Sequence, residues 1–226
     1  MQTPKQNAYP KVLVINVVPI GSLNATGITL GSLFSEWPKD RLCQLLLPWL
    51  ENHTESPDLG IKTLRVNLSS FPVEFLLRKL MYVFTGSETA SQSKNGISSS
   101  VRQIGVKANL REFVRAELDA SLCITPRETI REIEQFAPDV IYSLLGNIRT
   151  MRVVLQIAER TGARIVPHFM DNWLDTIYSG SPLNFLRRVT VARLNKKVHT
   201  RVVCGLAISR KMAREYESRF DVPYLD

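Results

Sequence analysis

The densest group of reactive side chains lies within six residues: His168, Asp171, Asn172 and Trp173. An imidazole changes charge near neutral pH, and a carboxylate three residues on can orient it or stabilise its charged form. The asparagine adds a second hydrogen-bonding group and the tryptophan a stacking face. His168 and Asp171 are therefore the candidate catalytic pair, with Asn172 and Trp173 beside them as candidate substrate contacts. The ordinary alternative for a single histidine is a core side chain bonded to backbone. No third ligand accompanies the pair, and the other two histidines are far away, so a metal site is not indicated. The group directly follows the apolar run RIVP at 164–167, which reads as a strand. A strand end that changes abruptly from apolar to polar is where an α/β sheet usually places its ligand.

A second candidate follows the first apolar run. Gly21, Thr26 and Gly27 sit in a loop of small residues, PIGSLNATG, ahead of an expected helix. Glycine lets a backbone approach a ligand closely, and a helix N-terminus offers free N–H groups to a phosphate. The glycine spacing matches neither the dinucleotide-binding fingerprint nor the P-loop. A tight turn with close helix packing explains the same residues, and Gly31 reads as structural.

The third feature is charge. Residues 182–220 hold ten basic side chains against Glu215 and Glu217, an excess equal to the net +8 of the whole chain. Arg187, Arg188, Arg193, Lys196 and Lys197 fall on one expected helix. A solvated face is the usual explanation of such residues, but solubility alone favours mixed signs. An anionic membrane surface is the alternative. Nucleic acid is disfavoured, because the stretch has no reading motif and few interleaved aromatics.

The elements that must position these groups form an alternating series. Residues 11–17, KVLVINV, read as a buried parallel strand. Further strands are expected at 41–48, 61–66, 139–145, 164–167 and 205–208. Helices are expected at 27–37, 71–84, 100–122, from 125 to about 137 with Thr125 as N-cap, at 148–161 closed by Gly162, from 182 to about 203, and after Ser209 as a cap. On the helix from 182, the stripe Val191, Leu194, Val198 and Val202 should face the core. The Ser-, Gly- and Thr-rich segment 85–100 reads as a mobile loop. The pattern predicts an α/β fold: a Rossmann-like, mostly parallel sheet flanked by helices. Residues 1–10 form a tail and 11–226 one domain.

Composition sets outer bounds. A chain of 226 residues, 44% hydrophobic and 22% charged, can build a substantial core. It has no apolar run of membrane-spanning length, and the N-terminus lacks the apolar core of a signal peptide. Cys43, Cys123 and Cys204 are odd in number and lie in apolar surroundings, as expected of reduced thiols in the cytoplasm.

Four stretches resemble the N-terminal domain of retaining GT-B glycosyltransferases of family 4: PHFMDNW at 167–173, GLAISRKMAREYESRF at 205–220, FAPDVIYSLLGN at 136–147 and the opening KVLVINVVPIGSLNATGITLGSLF. The resemblance covers most of residues 11–224. It departs in the first loop, where Thr26-Gly27 stands in place of the glycine pair of many members. It implies two Rossmann-like domains facing across a cleft, the first shaping the acceptor site and the second binding most of the nucleotide-sugar. On that reading the donor-binding domain is absent from this chain, and residues 1–226 alone are inactive. Gly21, Thr26 and Gly27 would lie near the donor phosphates, and His168 at the acceptor side, supported by Asp171 and Asn172. No cofactor is implied beyond the nucleotide-sugar, which is a substrate. The acceptor would be a glycolipid or polysaccharide intermediate, and the place the cytoplasmic face of the plasma membrane. Two rivals remain. One is a non-catalytic Rossmann-like module that binds anionic membrane or polyanion through its basic C-terminal helices. The other is a nucleotide-dependent oxidoreductase, disfavoured by the missing fingerprint.

Overall fold

The structure is a computed structural model that describes residues 9–47, 58–66, 113, 116, 125–179 and 182–226. The expected helix at 71–84, the loop at 85–100 and nearly all of the expected helix at 100–122 lie outside these residues, as does Cys123. Within the last span Phe113 and Ala116 are helical.

Seven strands form one sheet in the order β3-β2-β1-β4-β5-β6-β7, and every described ladder is parallel. They are β1 (Val12–Asn16), β2 (Leu42–Leu46), β3 (Lys62–Arg65), β4 (Val140–Ser143), β5 (Arg164–Phe169), β6 (Gly205–Ala207) and β7 (Tyr224–Leu225). The helices are α1 (Ala25–Leu33), α2 (Arg127–Phe136), α3 (Ile148–Thr161), the one-turn α4 (Trp173–Thr176), α5 (Phe185–His199) and α6 (Arg210–Phe220). This is the expected α/β, Rossmann-like parallel sheet flanked by helices.

The β1 run VLVIN is buried at all five positions, which is why it reads as apolar throughout rather than alternating. Alternation sorts its side chains to two faces. Val12 and Val14 join Ile20, Leu30, Phe34 and Tyr142 in a small core under α1. Leu13 and Ile15 join the larger core built with α2, α3, α5 and α6. The helix ends carry local reasons. Asn147 caps α3 by accepting from the Thr150 amide at 2.8 Å, and Gly162 ends it in the left-handed region at φ 74°. Ser209 caps α6 by accepting from the Met212 amide.

Two expectations are corrected. Thr125 does not cap α2; Pro126 occupies the N-cap position, and the Thr125 hydroxyl pairs with Gln156 Oε1 at 3.4 Å. The helix expected to reach 203 ends at His199, because Val202 leaves it to form a parallel bridge with Ile165. The expected stripe does meet the core: Val191 and Val198 are buried, and Leu194 and Val202 pack against the same core, but the polar Asn195 and His199 are buried beside them as well. β7 was not anticipated, since two residues carry no periodicity.

Candidate functional site at the carboxyl end of the sheet

β5 is longer than the sequence reading. It pairs with β4 through Arg164–Pro167 and with β6 through His168 and Phe169. His168 is thus held by strand pairing, one residue beyond the last β4 partner. Tyr142 of β4 pairs with Val166, so His168, two residues on, stands on the same face. The Tyr142 hydroxyl lies 2.6 Å from His168 Nδ1. Their rings meet edge to face at 5.9 Å, and Phe34, the C-cap of α1, packs edge-on against Tyr142 at 5.3 Å. Tyr142 is only 2% exposed, whereas His168 is half-buried. Burial lowers the His168 pKa and pushes the Tyr142 hydroxyl up, so both are neutral at pH 7.

Asp171 does something other than orient the imidazole. Its carboxylate accepts from the Trp173 amide at 3.1 Å and turns the chain into α4. Asn172 bridges two elements: its Nδ2 donates to Asp175 at 2.9 Å, and its Oδ1 accepts from the Tyr216 hydroxyl of α6 at 3.1 Å. Asp175 also binds Arg219 at 3.0 Å. That bond, with the one from Asn172, holds its carboxyl below the usual range. Trp173 packs against the larger core, tilted 5.8 Å from Phe169, instead of offering a free stacking face. The polar group therefore splits. His168 stays within β5, held by Tyr142, while Asn172 and Trp173 anchor the segment after the strand to α6 and the core.

The glycine loop follows β1 at the same edge of the sheet. Gly21 has φ 75° and donates to the Gly27 carbonyl at 2.9 Å. Gly27 is buried; a Cβ there would run into Ser22. The close-packing explanation thus accounts for both glycines. Asn24 caps α1 and accepts the Gly27 amide at 2.7 Å. The amides of Ala25 and Thr26 remain as the helix's open donors among the described residues.

Sheet order reverses between β1 and β4, which defines the crevice where open α/β sheets bind ligands. Two residues beside it escaped the sequence analysis. Asn16, 5% exposed, ends β1; its Oδ1 accepts from the Val17 amide, and its Nδ2 is buried without a partner among the described residues. Leu145, just after β4, has φ 53°, a strained value for a branched side chain. Tyr142 was missed as well. An Asn at the end of an apolar strand was the available signal for Asn16; Tyr142 gave none, since it reads as one more strand residue.

The basic residues disperse. Lys197 pairs with Glu159 at 2.8 Å, Arg210 with Asp226 at 3.2 Å and Arg219 with Asp175. Arg201 donates to the Ala158 carbonyl. Arg187 is half-buried and close enough to Arg152 to help lower that side chain's pKa, after burial. Arg188, Arg193 and Lys196 are exposed, on a helix that begins with Phe185 and Leu186 at 66% and 70% exposure. Among the described residues no group of three or more His, Cys, Asp or Glu could hold a metal ion, and no helix is long and apolar enough to cross a membrane.

No protein-family model and no curated protein sequence matches the chain. Among solved structures, it is similar to UGT89C1 of Arabidopsis thaliana complexed with UDP, at 15% identity and a TM-score of 0.43 over 93% of this chain and 46% of that one. The same protein complexed with UDP-L-rhamnose gives 11% and 0.41, covering 95% and 48%. Complexed with quercetin it gives 12% and 0.40, covering 94% and 46%. The chain spans about half the length of these structures. Likeness of this size carries no argument about activity.

Proposed function

We propose that the chain is the acceptor-side domain of a GT-B glycosyltransferase, one that moves a sugar from a nucleotide-sugar to a polysaccharide intermediate or lipid-linked acceptor with retention. The observation that carries this reading is the half-buried, neutral His168 at the carboxyl end of β5, with one ring nitrogen held by Tyr142 and the other left for a ligand. The resemblance of the segments around β1, β4, β5 and α6 to family 4 supports it. The chemical task is to stabilise a departing nucleoside diphosphate and an oxocarbenium-like sugar. The open amides at the start of α1 suit a phosphate oxygen. His168 suits a sugar hydroxyl, and Asp171 holds the turn beside it. Most of the donor contacts would come from a second domain, in the same polypeptide or in a partner subunit.

The first test is the intact mass of the protein as its own cell makes it, followed by transfer assays with nucleotide-sugar donors. A mass near twice 25.6 kDa is expected. In that protein, His168→Ala should lower kcat by roughly a hundredfold without comparable loss of stability. Sugar transfer by residues 1–226 alone, or normal turnover in the variant, would overturn the assignment.

A second reading is favoured by Phe185 and Leu186, exposed beside Arg193 and Lys196. Apolar and basic groups side by side suit the cytoplasmic face of an anionic membrane, at about 1 kcal/mol per basic residue near the lipid. This would bring a lipid-linked acceptor to the site; without transferase activity it is the binding-module alternative. Affinity for phosphatidylserine vesicles, read by co-sedimentation, should fall about thirtyfold in R193Q/K196Q. Equal binding by the variant removes the membrane reading.

A further inference from the structure

We propose that Tyr142 is a positioning residue whose hydroxyl donates to His168 Nδ1, fixing the imidazole with its hydrogen on Nε2, so that His168 serves its ligand as a hydrogen-bond donor and not as a base. A neutral imidazole has one N–H and one bare nitrogen, and a phenol has one hydrogen to place. At 2.6 Å the hydroxyl and Nδ1 share one hydrogen. If Nδ1 supplied it, the phenolic hydrogen would need another acceptor, and the described residues provide none. Leaving a buried donor unpaired costs about 1–3 kcal/mol. If Tyr142 supplies it, both groups are satisfied and Nε2 carries the ring hydrogen.

The arrangement is built into the sheet. Tyr142 and His168 are fixed by the β4–β5 register, so their approach does not depend on a loop closing. Phe34, the C-cap of α1, packs edge-on against the Tyr142 ring. The helix that carries the glycine loop thereby helps to set the tautomer of the histidine two strands away. For Nε2 to act as a base, the hydrogen would have to move to Nδ1 and displace the Tyr142 bond. A sugar hydroxyl oxygen, by contrast, meets a ready donor. The identity of that oxygen rests on the transferase reading; the tautomer does not.

The test is long-range 1H–15N correlation on the full chain with 15N-labelled imidazoles at pH 7.5. The chain has three histidines, and His168→Asn identifies the signals. The expected result is a protonated Nε2 and a bare Nδ1 at His168. Tyr142→Phe keeps the ring and removes the donor, so it should mix the tautomers and raise the His168 titration midpoint, because the bond to Nδ1 favours the neutral form. A protonated Nδ1 in the unsubstituted chain overturns the proposal. So does a folded Tyr142→Phe variant with unchanged tautomer and midpoint. If that variant does not fold, the signal of the unsubstituted chain decides alone. A protein that keeps the Nε2–H tautomer yet transfers no sugar upholds the positioning role and loses only the transferase reading.

Discussion

Two histidine–tyrosine pairs, one within the sheet between β4 and β5 and one joining α5 to β7, are opposite in design. His168 bonds Tyr142 through Nδ1 at 2.6 Å, is half-buried, and has a second nitrogen with no protein partner among the described residues. His199 is 7% exposed and has both nitrogens occupied: Nδ1 lies 2.8 Å from the Asn195 carbonyl and Nε2 2.7 Å from the Tyr224 hydroxyl. A carbonyl can only accept, so His199 carries its hydrogen on Nδ1 and accepts the Tyr224 hydrogen at Nε2. Its ring stacks on Phe220 at 3.8 Å and lies in a cluster with Phe169 and Tyr224. His199 is the satisfied core histidine that the sequence allows for any lone histidine. His168 is not satisfied in that way, since its Nε2 has no partner among the described residues. What separates the two imidazoles is the count of nitrogens that the fold itself consumes.

Truncation at the two sites should separate them by the largest margin. His199→Ala removes a stacked ring and leaves the Asn195 carbonyl and the Tyr224 hydroxyl without their partner. We expect a loss of about 3 kcal/mol in the urea unfolding free energy. His168→Ala removes a half-buried ring and leaves the Tyr142 hydroxyl without its acceptor, and should cost less, about 1–2 kcal/mol. The reverse order would mean that His168 is the core residue and that the mouth of β5 is not a site.

The two pairs also show what was legible in the sequence. β1 could be read because a parallel strand buried on both faces has to be apolar throughout, and α3 because Asn147 and Gly162 are specific to helix ends. His168 could be read because it breaks an apolar strand. Its partner could not. Tyr142 lies 26 residues earlier, and only the register of β4 against β5 brings the two together. The same limit hid Asn195 and His199. Polar residues on the buried face of α5 make sense only once Tyr224 and Phe220 are folded against them, and Val202 imitated one more helical turn until its bridge to Ile165 claimed it. Asp171 shows the converse. Nearness in sequence suggested that it orients His168, whereas the contact the fold gives it is an Oδ1 that accepts from the Trp173 amide.

A smaller effect should appear in the pH dependence of stability. Burial is the first cause of the lowered pKa at both histidines; at His199 the bond to the Asn195 carbonyl opposes the shift and Arg219 adds to it. The ordinary value is 6.5, and each folded value lies below it. As pH falls through 6.5 the unfolded chain takes up protons that the folded rings refuse, so stability declines on acidification and is fully present only above that range. Carboxylates do not confuse this window. Asp175 and Glu159, held low first by their bonds to Arg219 and Lys197, lose their contribution only below about pH 4. Urea unfolding at pH 7.5 and pH 5 should therefore show a loss for the unsubstituted chain. His199→Gln and His168→Gln should each reduce that loss, because each removes one imidazole that titrates only when unfolded. If neither substitution changes the loss, burial of the two rings is not its cause. The neutral state that the donor role of His168 requires would then lack its thermodynamic counterpart.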